Sequence, residues 1–264
     1  MPYCTKRCWL AIKKPKQKSH KGENGKLLIF AGSPLYHGAI ELAIMAAVRF
    51  CDLIYVYTCK ENRPLIKKLK LLTPNIILLN KKTLPNFFQK ADAFLLGCGW
   101  GENNENSILL EKALNTKKPA LIDATALKML NPDFLHKNCV LTPHAEEFRQ
   151  LFSLPATANN AKKMAKKFDC TILLKGPVDY IASKNKFIAN SGGNAGMTKG
   201  GTGDVLAGLC ASLLASSNPP HESAAAASFL NKRAAGDLFK KMGSYYSSSD
   251  LASQLAFTAK KLSK

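Results

Sequence analysis

The sequence predicts an α/β domain: a three-layer sandwich with a mostly parallel central sheet, helices on both faces and an antiparallel hairpin at one edge. Three observations predict it. Short apolar, β-branched runs alternate with amphipathic runs of helical period, the pattern of a parallel sheet covered on both sides. Two short runs, 178–183 and 186–190, are separated only by Lys184-Asn185 and read as a hairpin. Glycines and isolated polar residues recur where the strand-like runs end, which is where open α/β sheets bind ligands.

The elements follow in order. Residues 26–32 (KLLIFAG) are apolar throughout and read as a buried strand, and 39–50 carry apolar residues on one side at helical spacing. Residues 53–58 and 75–79 are β-rich runs, and 92–97 is a strand that ends in a glycine-rich turn and leads into a helix through Asn115. Short strands are expected at 119–123 and 139–142. Residues 161–168 place Lys162, Lys163, Lys166 and Lys167 around Met164 and Ala165, a helix with a solvated basic face, and 170–175 is the strand after it. Beyond the hairpin the chain is helical at 205–216, 222–242 and 250–262.

With 264 residues, 46% of them hydrophobic, the chain can bury a substantial core as one large domain or two small ones. No internal repeat is visible, and the polar stretches 15–18 and 244–249 do not separate domains, so one domain over 1–264 is expected, with 1–19 loosely ordered. No apolar run is long enough to span a bilayer and no signal-type start is present, so a soluble, cytoplasmic protein is expected. The eight cysteines are scattered without a Cys-x-x-Cys pair and read as reduced thiols. Cys4, Cys8 and His20 lack the number and spacing of a zinc site. A net charge of +20 raises nucleic acid as a partner. The lysines are widely spread, however, and no basic segment is interleaved with aromatics, so a basic surface that attracts anionic metabolites is the simpler reading.

The most informative stretch runs from Gly192 to Gly208, where glycines lead through Gly200-Gly201-Thr202-Gly203-Asp204 into an apolar helix. The first N–H groups of a helix lack intrahelical partners and carry roughly half a positive charge, and glycines let a phosphate approach the main chain. Asp204 in that first turn is either a helix cap or a base that takes a proton from a hydroxyl about to receive phosphate. Other strand ends carry Gly32-Ser33, Gly97-Cys98-Gly99-Trp100-Gly101, Asp123, Thr142-Pro143-His144 and Lys175-Gly176. Each has a plain alternative. Gly97 to Gly101 can be a simple turn, Asp123 a cap, His144 a surface histidine, Lys175 a solvated lysine and Trp100 a core residue. Their common placement at one sheet edge is the stronger signal.

In these residues the chain resembles the NAD(P)H-hydrate dehydratases of the ribokinase-like superfamily. The shared pattern comprises His20-Lys21-Gly22, Gly32-Ser33 with Gly38-Ala39, Gly97 to Gly101, Asp123-Ala124-Thr125-Ala126-Leu127, Thr142-Pro143-His144 with Glu147-Phe148, Lys175-Gly176, and Gly193 to Asp204. It departs from the family at Cys98, Trp100, Thr125, Glu146 and Asp179. The resemblance implies transfer of a terminal phosphate from ADP or ATP to the C6 hydroxyl of hydrated NADH or NADPH, loss of phosphate and return of the double bond. It implies Asp204 as the base, with Ala39, Gly99, Gly101, His144 and Glu147 beside Asp204 on the damaged dinucleotide. Lys175, Gly176, Pro177, Val178, Asp179, Gly200, Gly201, Thr202 and Gly203 would meet the nucleotide. It further implies Mg²⁺, a homo-oligomer (a tetramer) and a separately encoded epimerase. A small-alcohol kinase of the same superfamily is the alternative, and a basic nucleic-acid-binding protein the more distant one.

Overall fold

Nine strands lie in one sheet in the order β3-β2-β1-β4-β5-β6-β7-β8-β9 in the computed structural model, which describes residues 1–264. They are β1 (Lys26–Phe30), β2 (Leu53–Tyr57), β3 (Ile76–Leu78), β4 (Ala93–Leu96), β5 (Ala120–Ile122), β6 (Cys139–Leu141), β7 (Thr171–Leu174), β8 (Asp179–Ala182) and β9 (Phe187–Asn190). The first seven are parallel, and β8 and β9 add antiparallel to β7 as the hairpin expected at the edge. The helices are α1 (Lys6–Leu10), α2 (Gly38–Ala47), α3 (Arg63–Leu72), α4 (Leu84–Lys90), α5 (Asn104–Asn115), α6 (Thr125–Met129), α7 (Ala145–Phe152), α8 (Ala158–Lys167), α9 (Thr202–Ala215), α10 (Pro220–Met242) and α11 (Ser248–Leu262).

Alternation along the central strands splits the core in two. Leu27 and Ile29 of β1 join one apolar cluster with residues of α2, α3, α9, α10 and α11, while Leu28 and Phe30 join the other with residues of α4 to α8. The aromatic members of the second cluster are tightly grouped: Phe30 lies 5.8 Å from Trp100 and 5.6 Å from Phe88, ring centre to ring centre. Trp100 is therefore a core residue. Helix α9 is apolar on every side because it is enclosed by the sheet, α2 and α10; residues 205–215 are all buried. Gly208 allows this, since a side chain there would overlap the backbone of Ala43 in α2.

The amino terminus packs onto the sheet edge and the first cluster. Cys4 N–H donates to Ala189 O at 2.7 Å, extending the hairpin edge, and Trp9 and Ile12 are buried in the first cluster, with Trp9 edge-on to Phe50. Residues 13–18 form the longest exposed run of this terminus. The eight cysteines are free and five are buried. No helix is long and apolar enough to cross a membrane.

Candidate active site

The carboxyl ends of β1, β4, β5, β6 and β7 converge with the amino terminus of α9. Gly201, the residue before α9, has φ 92°, a conformation glycine adopts without penalty, and no side chain caps the helix. The N–H groups of Gly201 and Gly203 have no partner within the chain, whereas Thr202 N–H reaches Lys199 O at 3.4 Å. Thr202 Oγ1 donates to Met197 O at 2.8 Å and shapes the preceding turn. Thr202 and Gly203 line a cleft of about 560 Å³, together with residues that include His144, Lys175, Gly176, Gly193 and Lys232. The arrangement suits an anionic ligand held by main-chain N–H groups and ammonium groups.

Asp204 lies in the first turn of α9, the residue after Gly203 of the cleft lining. Its neighbours are Asp123, which follows β5, and Cys98, which follows β4; one donor atom from each of the three lies within 4.8 Å of the others. Burial and then the charge of Asp123 push the Asp204 carboxyl up to about 6, against weaker opposing pulls from the Cys98 thiol and Lys175. Burial, with the two carboxylates close by, holds the Cys98 thiol far above its ordinary range, so it stays protonated. Asp123 has little freedom of its own. Its Oδ1 accepts from Lys175 Nζ at 2.8 Å and from Thr142 Oγ1 at 2.7 Å.

Lys175 is 19% exposed and sits 3.8 Å from Glu147 as well. Burial works against its charge, but Asp123 and Glu147 outweigh that cost and hold the ammonium form. Glu147 is tied in turn to His144. The His144 N–H donates to Glu147 Oε2 at 2.8 Å, and His144 Nδ1 accepts from the N–H groups of Glu146 and Glu147, a reciprocal cap at the start of α7. His144 is thus both a cap and a wall of the cleft.

The residues expected to bind ligands fall into three groups. His144, Lys175, Gly176, Pro177, Asp179, Thr202 and Gly203 line the 560 Å³ cleft. Asp179 does so with its carboxylate already used: Oδ1 accepts from Gly176 N–H at 3.0 Å and lies 3.2 Å from Lys232 Nζ, and Oδ2 accepts from Ser228 Oγ at 2.6 Å. It holds the turn at Gly176. Ala39, Gly99 and Gly101 lie on the β1 and β4 side, with Gly99 packed against Ala39 and Tyr36, and Cys98 carries that loop to Asp204. Val178, Gly200, Gly201 and Glu147 do not line this cleft; Gly200 O accepts from Ser248 Oγ and Gly201 packs on Leu42. Gly97 has φ 122°, and any side chain there would overlap the Asp123 carbonyl, which explains the glycine at this strand end.

Sequence reasoning missed Lys232. It is 7% exposed, and its Nζ donates to Gly176 O, Pro177 O and Asn190 O at 3.0 to 3.1 Å. Its neighbour Asn231 also lines the cleft, with Oδ1 unpartnered. The available signal was an Asn-Lys pair inside an otherwise small and apolar stretch of α10.

The donors near Asp204 do not form a cage for a hard cation. Asp123 Oδ1 is committed to Lys175 and Thr142, and a protonated thiol is a poor partner for Mg²⁺. A Mg²⁺ ion fits here only with nucleotide phosphates supplying most of its oxygens, the way such ions are commonly held.

Comparison with known proteins agrees with this geometry. A family model described as NAD(P)H-hydrate dehydratase matches residues 27–256. The chain is 37% identical over 270 residues to the ADP-dependent (S)-NAD(P)H-hydrate dehydratase of Nitrosopumilus maritimus, covering 94% of this chain and 93% of that protein. A crystal structure of a ribokinase-like superfamily protein from Enterococcus faecalis superposes with a TM-score of 0.89 at 27% identity, covering 99% of this chain and 96% of that one. The ADP/ATP-dependent NAD(P)H-hydrate dehydratase of Bacillus subtilis, co-crystallized with ATP and Mg²⁺, superposes with a TM-score of 0.84 at 24% identity, covering 99% and 98%, and shares the fold. The chain belongs to the NAD(P)H-hydrate dehydratase family.

Proposed function

We propose that this chain repairs the S-epimer of hydrated NADH or NADPH, using ADP or ATP to turn the C6 hydroxyl into a phosphate ester that leaves. One observation carries the reading: unpartnered main-chain donors at the start of α9 stand beside a desolvated carboxylate, Asp204, at the ligand-binding edge of the sheet. A carboxylate repels phosphate, so its presence there calls for a chemical reason. Asp204 takes the hydroxyl proton while the oxygen attacks the terminal phosphorus. The N–H groups of Gly201 and Gly203 and the Lys175 ammonium receive the charge that develops on the transferred group. In the second half the C6–O bond breaks with phosphate as leaving group, a proton is lost from C5, and the C5–C6 double bond returns. Water is a poor leaving group and phosphate a good one, which is what the nucleotide contributes.

On this reading the nucleotide takes the 560 Å³ cleft, and the hydrated ring lies beside Asp204 toward Ala39, Gly99 and Gly101. The names of the relatives support both donors, ADP in the archaeal protein and ADP or ATP in the Bacillus one. Bound Mg²⁺ would neutralise phosphate charge. A homotetramer in the cytoplasm, working beside a separate epimerase, completes the reading. A small-alcohol kinase would use the same base but keep its phosphoester. Phosphorus NMR of a reaction with hydrated NADH, ADP and Mg²⁺ separates the two: free phosphate equal to NADH formed supports the dehydratase, and a stable sugar- or ring-alcohol phosphate refutes it.

A further inference from the structure

The polar run 244–249, unexplained as sequence, lies against the glycine-rich loop that precedes α9. Lys199 Nζ donates to Ser244 O and to Tyr246 O, each at 2.6 Å, and lies 5.6 Å from the centre of the Tyr246 ring. The Tyr246 hydroxyl donates to Asn194 Oδ1 at 2.7 Å, and that same oxygen accepts Gly196 N–H at 3.0 Å. Ser248 Oγ donates to Gly200 O at 2.6 Å. The Tyr246 side chain is fully buried, and a Cβ at Gly196 would collide with its ring. The connector is itself fixed by the reciprocal Ser247–Asp250 cap that starts α11.

We propose that the α10–α11 connector is a brace that sets the glycine-rich loop for nucleotide phosphate, with Lys199 and Tyr246 as positioning residues. This rests on the reading of the cleft as a nucleotide site. A loop with Gly192, Gly193, Gly196, Gly200 and Gly201 has many conformations to lose, and its N–H groups bind phosphate well only if they are aimed beforehand. Four contacts, at positions 194, 196, 199 and 200, hold the loop from Asn194 to Gly200 against the connector. The brace acts on the loop and touches no reacting atom.

The test is calorimetric titration of the full chain with Mg-ADP, alongside thermal melts. Lys199→Met should weaken ADP by about tenfold and Tyr246→Phe, which keeps the ring and the charge, by about threefold, as expected when loop ordering is shifted onto the binding step. Lys199→Arg should restore affinity, and the loss in Lys199→Met should persist at 0.5 M salt, where a direct charge effect would fade. Lys260→Met, on the exposed end of α11, should bind as the parent does. Unchanged ADP affinity in Lys199→Met and Tyr246→Phe, even with lowered melting temperatures, would overturn the brace while leaving the nucleotide site intact. Failure of the parent chain to bind ADP would overturn the nucleotide reading and the brace with it.

Discussion

Replacing Asp204 by Asn separates its chemical role from its structural one. The carboxyl is pushed from 3.8 to about 6 by burial and by Asp123. A raised carboxylate is a folding penalty: absent below about pH 4, where folded and unfolded chains are both protonated, growing to pH 6 and fully present above it. One pKa unit corresponds to about 1.4 kcal/mol, so the penalty at pH 8 is at most about 3 kcal/mol. Asn keeps the shape without the charge, so Asp204→Asn should melt several degrees higher at pH 8, with the gain vanishing by pH 4. Turnover should fall by about two to four orders of magnitude, the usual range for loss of a general base, while ADP affinity holds. In the parent enzyme kcat/KM should drop about tenfold per pH unit below 6, where the base is protonated. Melting curves across pH 4–8 and steady-state rates test both halves. Near-normal turnover with intact binding would make Asp204 a cap and leave the base unassigned; unchanged stability at pH 8 would refute the electrostatic argument.

Two further outcomes follow from the same geometry. A Cβ at Gly203 would lie 3.7 Å from Lys175 Nζ, an ordinary contact, so Gly203→Val should still fold but block phosphate approach, seen as loss of ADP binding with a cooperative melt retained; unchanged affinity would move the phosphate site elsewhere. Lys175→Met leaves the buried Asp123 carboxylate without its cation, which should cost about 3–5 kcal/mol in denaturant unfolding and move the acid limb of the rate profile upward, because Lys175 holds the Asp204 pKa down. A limb that stays in place would refute the coupling.

Strands were legible because each is a short apolar run between breakers, and the structure trims them by only a residue or two at each end. Helices α1, α3, α4, α6 and α7 were not read as elements. α3 and α4 begin Arg63-Pro64 and Leu84-Pro85 and are charged or short, and α7 was seen only as the Thr142-Pro143-His144 motif, although His144 and Glu147 stand at capping-box spacing. The site was legible where chemistry sits on consecutive residues, as in 200–204 and 175–177. It was illegible where a residue acts across the fold. Lys232 lies 56 positions from Gly176, and Tyr246 lies 52 from Asn194; nothing local marks either as part of the loop it holds. Asp179 shows the converse. The resemblance implied contact with the nucleotide, and the fold adds what the sequence did not show, that its carboxylate is engaged by Ser228 and Lys232.

The central claim is tested most directly by adding the protein to enzymatically hydrated NADH with Mg²⁺ and following the absorbance of the reduced nicotinamide, in parallel with ADP, with ATP and with no nucleotide. The account expects absorbance to recover only when nucleotide is present, with one phosphate released per NADH restored and recovery stopping once the S-epimer is consumed. No recovery with either nucleotide, or recovery without one, would contradict it.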